Sequence, residues 1–144
     1  MERRLRKARV KGVMILNFRE SSENYLKAIL VLKQTQGDIR CIDLARYMGF
    51  SKASVSHAVA ILIKDELLDR EGNYLRLTIQ GEKLSRQILE KHNFFTHLLI
   101  QCGVEPKLAE MEACKIEHVI SNDTLHKIKE TLQGRIISEK ANRL

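Results

Sequence analysis

The sequence has no tryptophan, one proline and 5% aromatic residues among its 144 residues. No apolar run comes near the roughly 20 residues that a membrane-spanning helix needs. The stretch from Val10 to Phe18 is too short and too interrupted for a signal peptide. With 44% hydrophobic and 30% charged residues, these absences predict a helix-rich globular protein in the cytoplasm, with no membrane partner.

Cysteine is also scarce. The three cysteines, Cys41, Cys102 and Cys114, are odd in number and widely separated along the chain. They do not form the pattern of a disulfide framework, which is in keeping with a reducing compartment. Any function of a cysteine here is therefore expected to depend on a free thiol, as a metal ligand or as a redox-active group.

Lys and Arg outnumber Asp and Glu mainly in the first half of the chain. Residues 1–80 carry 15 Lys and Arg against 9 Asp and Glu, whereas residues 81–144 carry 10 against 9. A basic N-terminal half suits a polyanion, and nucleic acid is the commonest such partner. Residues 1–20 are predicted to form a basic, mobile arm that can add phosphate contacts.

Residues 21–80 have the pattern of a winged helix-turn-helix DNA-binding domain. A first helix is expected to begin at Ser21 or Ser22 and to end at about Gln36, before Gly37. Two short helices follow, separated by Gly49 and a Ser51 cap, which is a helix-turn-helix pattern, although an ordinary helical hairpin is the alternative. The next segment places two apolar strands around a Glu-Gly-Asn turn, and such a hairpin would form the wing.

This arrangement would expose the start of the second short helix to the major groove and the wing to the DNA backbone. The predicted DNA-binding residues are Ser51, Lys52, Ala53, Ser54, Ser56 and His57 on the helix, and Arg70 and Arg76 on the wing.

Residues 81–144 are predicted to form a second, helical domain. Thr78 would cap a long helix with an apolar stripe at helical spacing that contains His92. Gly103 and Pro106 separate it from a helix that ends near Ser121, and a last helix would stop at Gly134. The predicted fold class is mainly α, a winged helix-turn-helix domain followed by a helical domain.

The stretch from Glu112 to Ser121 carries the most specific chemistry. Residues at i, i+3 and i+4 share one helix face, so Cys114, Glu117 and His118 would lie side by side. A thiolate, a carboxylate and an imidazole within one turn suit a divalent transition metal. By spacing alone, a partly exposed helix with no metal is the alternative.

A winged helix-turn-helix followed by Glu-Ala-Cys-Lys-Ile-Glu-His-Val-Ile-Ser resembles the diphtheria toxin repressor family of iron- and manganese-dependent transcriptional regulators. The Lys91-His92 pair and Leu77-Thr78 followed by Gly81 belong to the same resemblance, which covers roughly residues 21–132. It implies a short form of that family without the SH3-like domain. It further implies that residues 81–144 bind metal and dimerise. Phe94, Leu98 and Ile100 exceed what one small core needs, so the dimer contact is expected on these apolar faces.

The resemblance also implies a ligand set. Cys114, Glu117 and His118 would hold the primary metal, with Asn24 of the first helix in the position of a further ligand. His92 and Glu110 would form an ancillary site. Lys27 and Thr96 depart from the family's pattern, because they stand where some members carry carboxylates.

The expected function is a homodimeric, metal-dependent repressor of metal-homeostasis genes that binds a palindromic operator in double-stranded DNA. Cys114 favours Fe(II) over Mn(II) as co-repressor, with Zn(II), Co(II) or Ni(II) as substitutes. The first alternative is a regulator of the same fold that is metal-independent or redox-responsive. A small metalloenzyme is disfavoured, because no general base, nucleophile or phosphate loop accompanies the ligands, so no enzyme activity is expected.

Overall fold

The structure is a computed structural model that describes the backbone of residues 2–143, and the side chains of residues 19–135 and 138–143. The described chain contains six helices and one two-stranded antiparallel sheet. In chain order the elements are α1 (Glu2–Gln36), α2 (Cys41–Met48), α3 (Lys52–Lys64), β1 (Leu68–Glu71), β2 (Tyr74–Leu77), α4 (Ile79–Gln101), α5 (Pro106–Ile116) and α6 (Asn122–Asn142).

The chain divides into two compact units, Met1–Leu89 and Glu90–Leu144, and the division falls inside α4. The predicted domain boundary between residues 80 and 81 stays a prediction. No described helix is long and apolar enough to cross a membrane.

The first helix begins much earlier than the sequence predicted. Helix α1 starts at Glu2 and passes through Ser21 and Ser22 without a break, so the expected capping start at those serines is wrong. Arginine, lysine, leucine, methionine and alanine dominate residues 1–20 and all favour helix, so nothing there forces a stop. The end at Gln36 is confirmed, with Gly37 at φ 85°. The side chains of residues 2–18 lie outside the described residues, and the mobility of the arm stays a prediction.

Helices α2 and α3 form the predicted helix-turn-helix. Gly49 takes a left-handed conformation, φ 69°, directly after α2. Ser51 then caps α3, because its hydroxyl accepts the backbone N–H of Ser54. Val55 and Leu62 on α3 are completely buried, so α3 presents its opposite face to solvent.

The predicted wing is also present. Strands β1 and β2 pair with Leu68 opposite Leu77 and Glu71 opposite Tyr74, on either side of the turn at Gly72. Leu75 of β2 also donates its N–H to the carbonyl of Ile39, at 2.7 Å, which ties the hairpin to the segment before α2.

One apolar core holds the first unit together. It joins α1, α2, α3 and the hairpin, and each of its large side chains is removed almost entirely from water. Burial of one such side chain stabilises a fold by about 1.5–3 kcal/mol. The core residues are Tyr25, Leu26, Ala28, Ile29, Leu32, Ile39, Leu44, Ala45, Val55, Val59, Leu62, Leu68 and Leu75.

In the second unit, Phe95, Ala113 and Leu125 form a smaller core with several half-buried apolar side chains around it. Two predicted helix ends are wrong here. Helix α5 ends at Ile116 rather than near Ser121, and α6 continues through Gly134 to Asn142. A single glycine costs about 1 kcal/mol in a helix interior, which the long flanking helical sequence tolerates.

Candidate metal centre and DNA-binding surface

Cys114, Glu117 and His118 lie at the C-terminal end of α5. Cys114 is in the last turn, and Glu117 is the residue that follows the helix, with helical backbone angles of −57° and −26°. The amide of Glu117 still donates to the carbonyl of Ala113, at 3.0 Å, and that of His118 donates to Lys115, at 3.4 Å. The helical turn thus extends far enough to keep the i, i+3, i+4 relation, although the helix ends earlier than predicted.

The three side chains converge. The thiol sulfur of Cys114, a carboxylate oxygen of Glu117 and a ring nitrogen of His118 all lie within 4.8 Å of one another. His118 Nε2 is 3.4 Å from Glu117 Oε1. Glu117 is 1% exposed, the side chain of His118 is 3% exposed and Cys114 is half-buried, so a carboxyl group is held away from water beside a thiol and an imidazole.

His92 reaches the same carboxylate from α4. Its Nδ1 lies 2.7 Å from Glu117 Oε2, and the ring is largely buried. An ionised carboxylate only accepts hydrogen bonds, so the His92 tautomer that completes this contact with ionised Glu117 is the one with its proton on Nδ1. The two oxygens of Glu117 therefore face different partners, Oε1 towards His118 and Oε2 towards His92.

This donor set fits a divalent transition metal. Ligand atoms bound at about 2.0–2.3 Å lie roughly 3–4 Å from one another, and the separations among Cys114, Glu117 and His118 need little adjustment to reach that range. A buried carboxylate is costly without a compensating charge or hydrogen bonds. His92 already gives Glu117 such a hydrogen bond, and a cation at this place would stabilise the carboxylate further.

Two further residues predicted to bind metal are not members of this group of three. Glu110 is exposed on α5 and Asn24 is half-buried on α1, and neither belongs to the group of three. Their roles as ligands stay predictions. Thr96, one turn after His92, is half-buried, and its hydroxyl is buried without a hydrogen-bond partner among the described atoms.

Helix α1 also carries a buried carboxylate that the sequence pattern did not predict. Glu23 is 6% exposed and accepts a 3.0 Å bond from Arg19. The available signal was its position three residues before Leu26, which places it on the apolar face of the helix.

The predicted DNA-binding residues of α3 share one exposed face. Lys52, Ala53, Ser54, Ser56 and His57 are all exposed. Ser51, also exposed, donates its hydroxyl to Ser54 Oγ at 2.9 Å while capping the helix. The hydroxyl proton of Ser54 remains available to a DNA acceptor, since that oxygen accepts from Ser51.

The two wing arginines have protein partners. Arg76 binds Asp38 at 2.6 Å and Glu71 at 3.0 Å, and these carboxylates raise the pKa of its guanidinium. The exposed Arg70 lies with Nη2 3.5 Å from the thiol of Cys41. Contact of Arg76 with a phosphate stays a prediction, and it would compete with two ion pairs.

The three residues expected at a dimer contact differ in how far they are buried within the chain. Phe94 and Leu98 pack against the core of the second unit, whereas Ile100 is 39% exposed. Phe94 also lies under the ammonium group of Lys129, 5.4 Å from the ring centre. Two of the three apolar side chains are therefore used at least partly within the chain.

Two family profiles match this chain. Residues 17–74 match the N-terminal DNA-binding domain of the iron-dependent repressors, and residues 78–135 match their metal-binding and dimerisation domain. The transcriptional regulator MntR of Escherichia coli O6:H1 strain CFT073 is 31% identical over 110 residues, which cover 74% of this chain and 70% of that protein.

Solved structures show the same fold. The crystal structure of IdeR from T. acidophilum is similar with a TM-score of 0.66 at 27% identity, and covers 77% of this chain. The apo form of the manganese-activated repressor ScaR is similar with a TM-score of 0.63 at 25% identity, and covers 76% of this chain. The chain spans about half the length of these two, 53% in each case.

A winged helix-turn-helix followed by a helical unit with a cluster of metal-type ligands defines a class of transcriptional regulators, not of enzymes. The chain belongs to the iron-dependent repressor family of metal-dependent transcriptional regulators, the family that the sequence resembled.

Proposed function

We propose that this protein is a transcriptional repressor whose DNA affinity is set by a divalent metal ion held by Cys114, Glu117 and His118. The observation that carries the proposal is the convergence of these three ligand atoms within 4.8 Å around a buried carboxylate. The exposed face of α3 supplies the other half of the function, since it offers hydroxyl, imidazole and ammonium groups to DNA.

Each side chain has a distinct part. Cys114 offers a sulfur that binds as thiolate, Glu117 a negative oxygen and His118 a neutral nitrogen. A bound metal would supply positive charge next to the carboxylate and the thiolate. Because thiolate and neutral imidazole are the binding forms, these residues make metal affinity fall as the pH is lowered.

We propose Fe(II) as the preferred metal and Mn(II) as a weaker one. The support is chemical, since Mn(II) prefers oxygen ligands whereas Fe(II) accepts sulfur and nitrogen well. The comparisons leave this choice open. The matching family profile is that of the iron-dependent repressors, whereas one of the similar solved structures is a manganese-activated repressor. Zn(II), Co(II) and Ni(II) are expected to bind the same donors as substitutes.

On DNA, we propose a homodimer that places two copies of α3 in successive major grooves of a palindromic operator. The support is the family's dimerisation domain, which matches residues 78–135. A metal can act as co-repressor only if it binds the DNA-competent arrangement more tightly than the other arrangements. The repressor's target genes are proposed to be those of metal homeostasis, and its cytoplasmic location stays a prediction.

A matched pair of cysteine variants tests this proposal. Cys102 is exposed and outside the group of three, so Cys102→Ser is the control for Cys114→Ser. Duplexes selected from a random-sequence pool with Fe(II) present serve as the DNA probe in fluorescence anisotropy under anaerobic conditions. Cys114→Ser is expected to need at least about tenfold more Fe(II) for half-maximal DNA binding, because a thiolate ligand is replaced by a weakly binding hydroxyl. Equal Fe(II) requirements for the two variants would contradict the assignment of Cys114.

A further inference from the structure

We infer that His92 does not bind the metal of the Cys114, Glu117 and His118 group but positions the Glu117 carboxylate, so that the second unit holds one metal ion. This inference rests on the proposed metal site and assigns a different role to the histidine that the family resemblance placed in a separate ancillary site.

The first support is the division of the carboxylate between two sides. Glu117 Oε2 accepts a 2.7 Å bond from His92 Nδ1, whereas Oε1 is 3.4 Å from His118 Nε2. Oε1 is therefore the oxygen on the His118 side of the carboxylate, and Oε2 is the one that His92 holds. A hydrogen bond to the second oxygen fixes the rotation of the carboxylate and stabilises its charge, which is how outer partners orient metal ligands.

The second support is the orientation of the His92 ring, which turns Nδ1 towards Glu117 Oε2 at 2.7 Å. A nitrogen that donates a proton to a carboxylate cannot at the same time offer a lone pair to a metal. His92 could bind a metal only through Nε2, on the other side of the ring from the Glu117 contact. The contact of its other nitrogen, Nδ1, is with Glu117 Oε2, and this contact positions a ligand.

The third support is the set of side chains available around His92, where an ancillary metal site would lie. In the part of the chain whose side chains are described, the only group of three or more His, Cys, Asp and Glu with metal-ligand spacing is Cys114, Glu117 and His118. Thr96 stands one helical turn after His92, where it presents a hydroxyl rather than a carboxylate, and Glu110 is exposed. The residues around His92 therefore suit a positioning role better than a second complete site.

Cobalt(II) titration of the full-length, metal-free protein tests the inference, because its absorption reports both stoichiometry and thiolate ligation. The expected result is one Co(II) per chain, with a thiolate-to-cobalt charge-transfer band that is lost in Cys114→Ser. His92→Ala should weaken Co(II) affinity by about 10- to 100-fold, the usual loss when an outer partner of a ligand is removed.

A conservative variant separates positioning from ligation. The amide nitrogen of an asparagine sits close to the place of His Nδ1, so His92→Asn keeps a donor for Glu117 Oε2 but has no counterpart of Nε2. It should bind one Co(II) with the wild-type charge-transfer band and an affinity near that of the wild type. His97→Ala, an exposed histidine on the same helix, should also match the wild type, and circular dichroism verifies the fold of each variant.

Three outcomes would overturn the inference. Two Co(II) per wild-type chain, with one lost in both His92→Ala and His92→Asn, would make His92 a ligand and leave the repressor proposal intact. Wild-type affinity in His92→Ala would show that the hydrogen bond to Glu117 has no effect on the site. No Co(II) binding by the wild type would reject the inference and the proposed metal site together.

Discussion

Arg76 in the wing forms an ion pair with Asp38. Asp38 directly precedes Ile39, which pairs with Leu75 of the hairpin. The guanidinium Nη1 lies 2.6 Å from the carboxylate, while Nε lies 3.0 Å from Glu71 on the facing strand. The guanidinium also lies 5.7 Å from the centre of the Tyr74 ring. The sequence predicted a phosphate contact for this arginine, yet its charge is balanced by two acidic residues from different parts of the chain.

Replacing Asp38 should therefore change how the wing meets DNA. In Asp38→Asn, Arg76 loses one of its two carboxylates and its guanidinium becomes easier to transfer to a phosphate. Non-specific DNA binding should strengthen at low salt, and the slope of log K against log salt should steepen by about 0.9, the value for one phosphate contact. Fluorescence anisotropy at several salt concentrations measures this slope.

The control for that prediction is Asp65→Asn, which makes the same change of net charge at the C-terminal end of α3. Asp65→Asn should change the affinity for non-specific DNA slightly, without adding a contact between the protein and a phosphate. An equal change of slope in both variants would indicate a general charge effect and no release of Arg76.

Gly81 has no room for a side chain. A Cβ at this position would lie 1.8 Å from the carbonyl oxygen of Leu67. The surrounding junction is tied together by Thr78, whose hydroxyl donates to the carbonyl of Glu66 and accepts the N–H of Gly81. Because the opposing atom is backbone, Gly81→Ala should reduce the free energy of unfolding by roughly 2 kcal/mol or more.

Gly134 provides the matched control for Gly81→Ala. It lies within α6, where an added Cβ would meet no described atom within 4 Å. Gly134→Ala should raise stability by about 0.5–1 kcal/mol, because alanine favours helix over glycine. Urea unfolding followed by circular dichroism compares the two, and opposite signs are expected. Similar effects would refute the steric account of Gly81.

Ser51 has a structural role that its predicted DNA contact did not include. Its hydroxyl oxygen accepts the N–H of Ser54 at the start of α3. Ser51→Ala should therefore cost about 1 kcal/mol of stability, the usual effect of removing a helix cap. Ser56→Ala, on the same helix and also exposed, should be close to neutral in urea unfolding. A loss of stability in Ser56→Ala as large as that in Ser51→Ala would show that capping is not the cause.

The exposed face of α3 should separate affinity from sequence preference. Lys52→Ala is expected to weaken binding to all duplexes similarly and to reduce the salt slope by about 1, since it removes a phosphate contact. Ser54→Ala and His57→Ala should change the preferred sequence, because their side chains would meet base edges. Selection from a random pool measures both, and an unchanged consensus in the two latter variants would show that α3 does not read sequence through them.

The local pattern of the sequence was sufficient to predict most of the fold. Gly49 and Ser51, the hairpin turn at Gly72 and the buried face of Val55 and Leu62 each act over a few residues, so their signals are local. The helix ends were less predictable. Ser21 offered a cap and Gly134 a stop, but each lies among helix-favouring neighbours that extend the helix across it.

Part of the candidate metal site was also predictable, because its signal lies within a few neighbouring residues. The convergence of Cys114, Glu117 and His118 follows from spacing within one turn, which the structure keeps. The contact between His92 and Glu117 joins two helices, and its partner atoms could not be read from either helix alone. The ion pairs of Arg76 are a second example, since Asp38 is distant from it in sequence.

In the proposed function, metal bound at the Cys114, Glu117 and His118 group controls DNA binding. Its most direct test is the affinity of the wild-type protein for a selected duplex, measured by anisotropy at fixed salt with Fe(II) and again with a chelator in excess. We expect at least a tenfold loss of specific affinity on metal removal, equivalent to about 1.4 kcal/mol, and restoration when Fe(II) is returned. Equal affinity with metal and with chelator, on DNA that the protein recognises specifically, would contradict it.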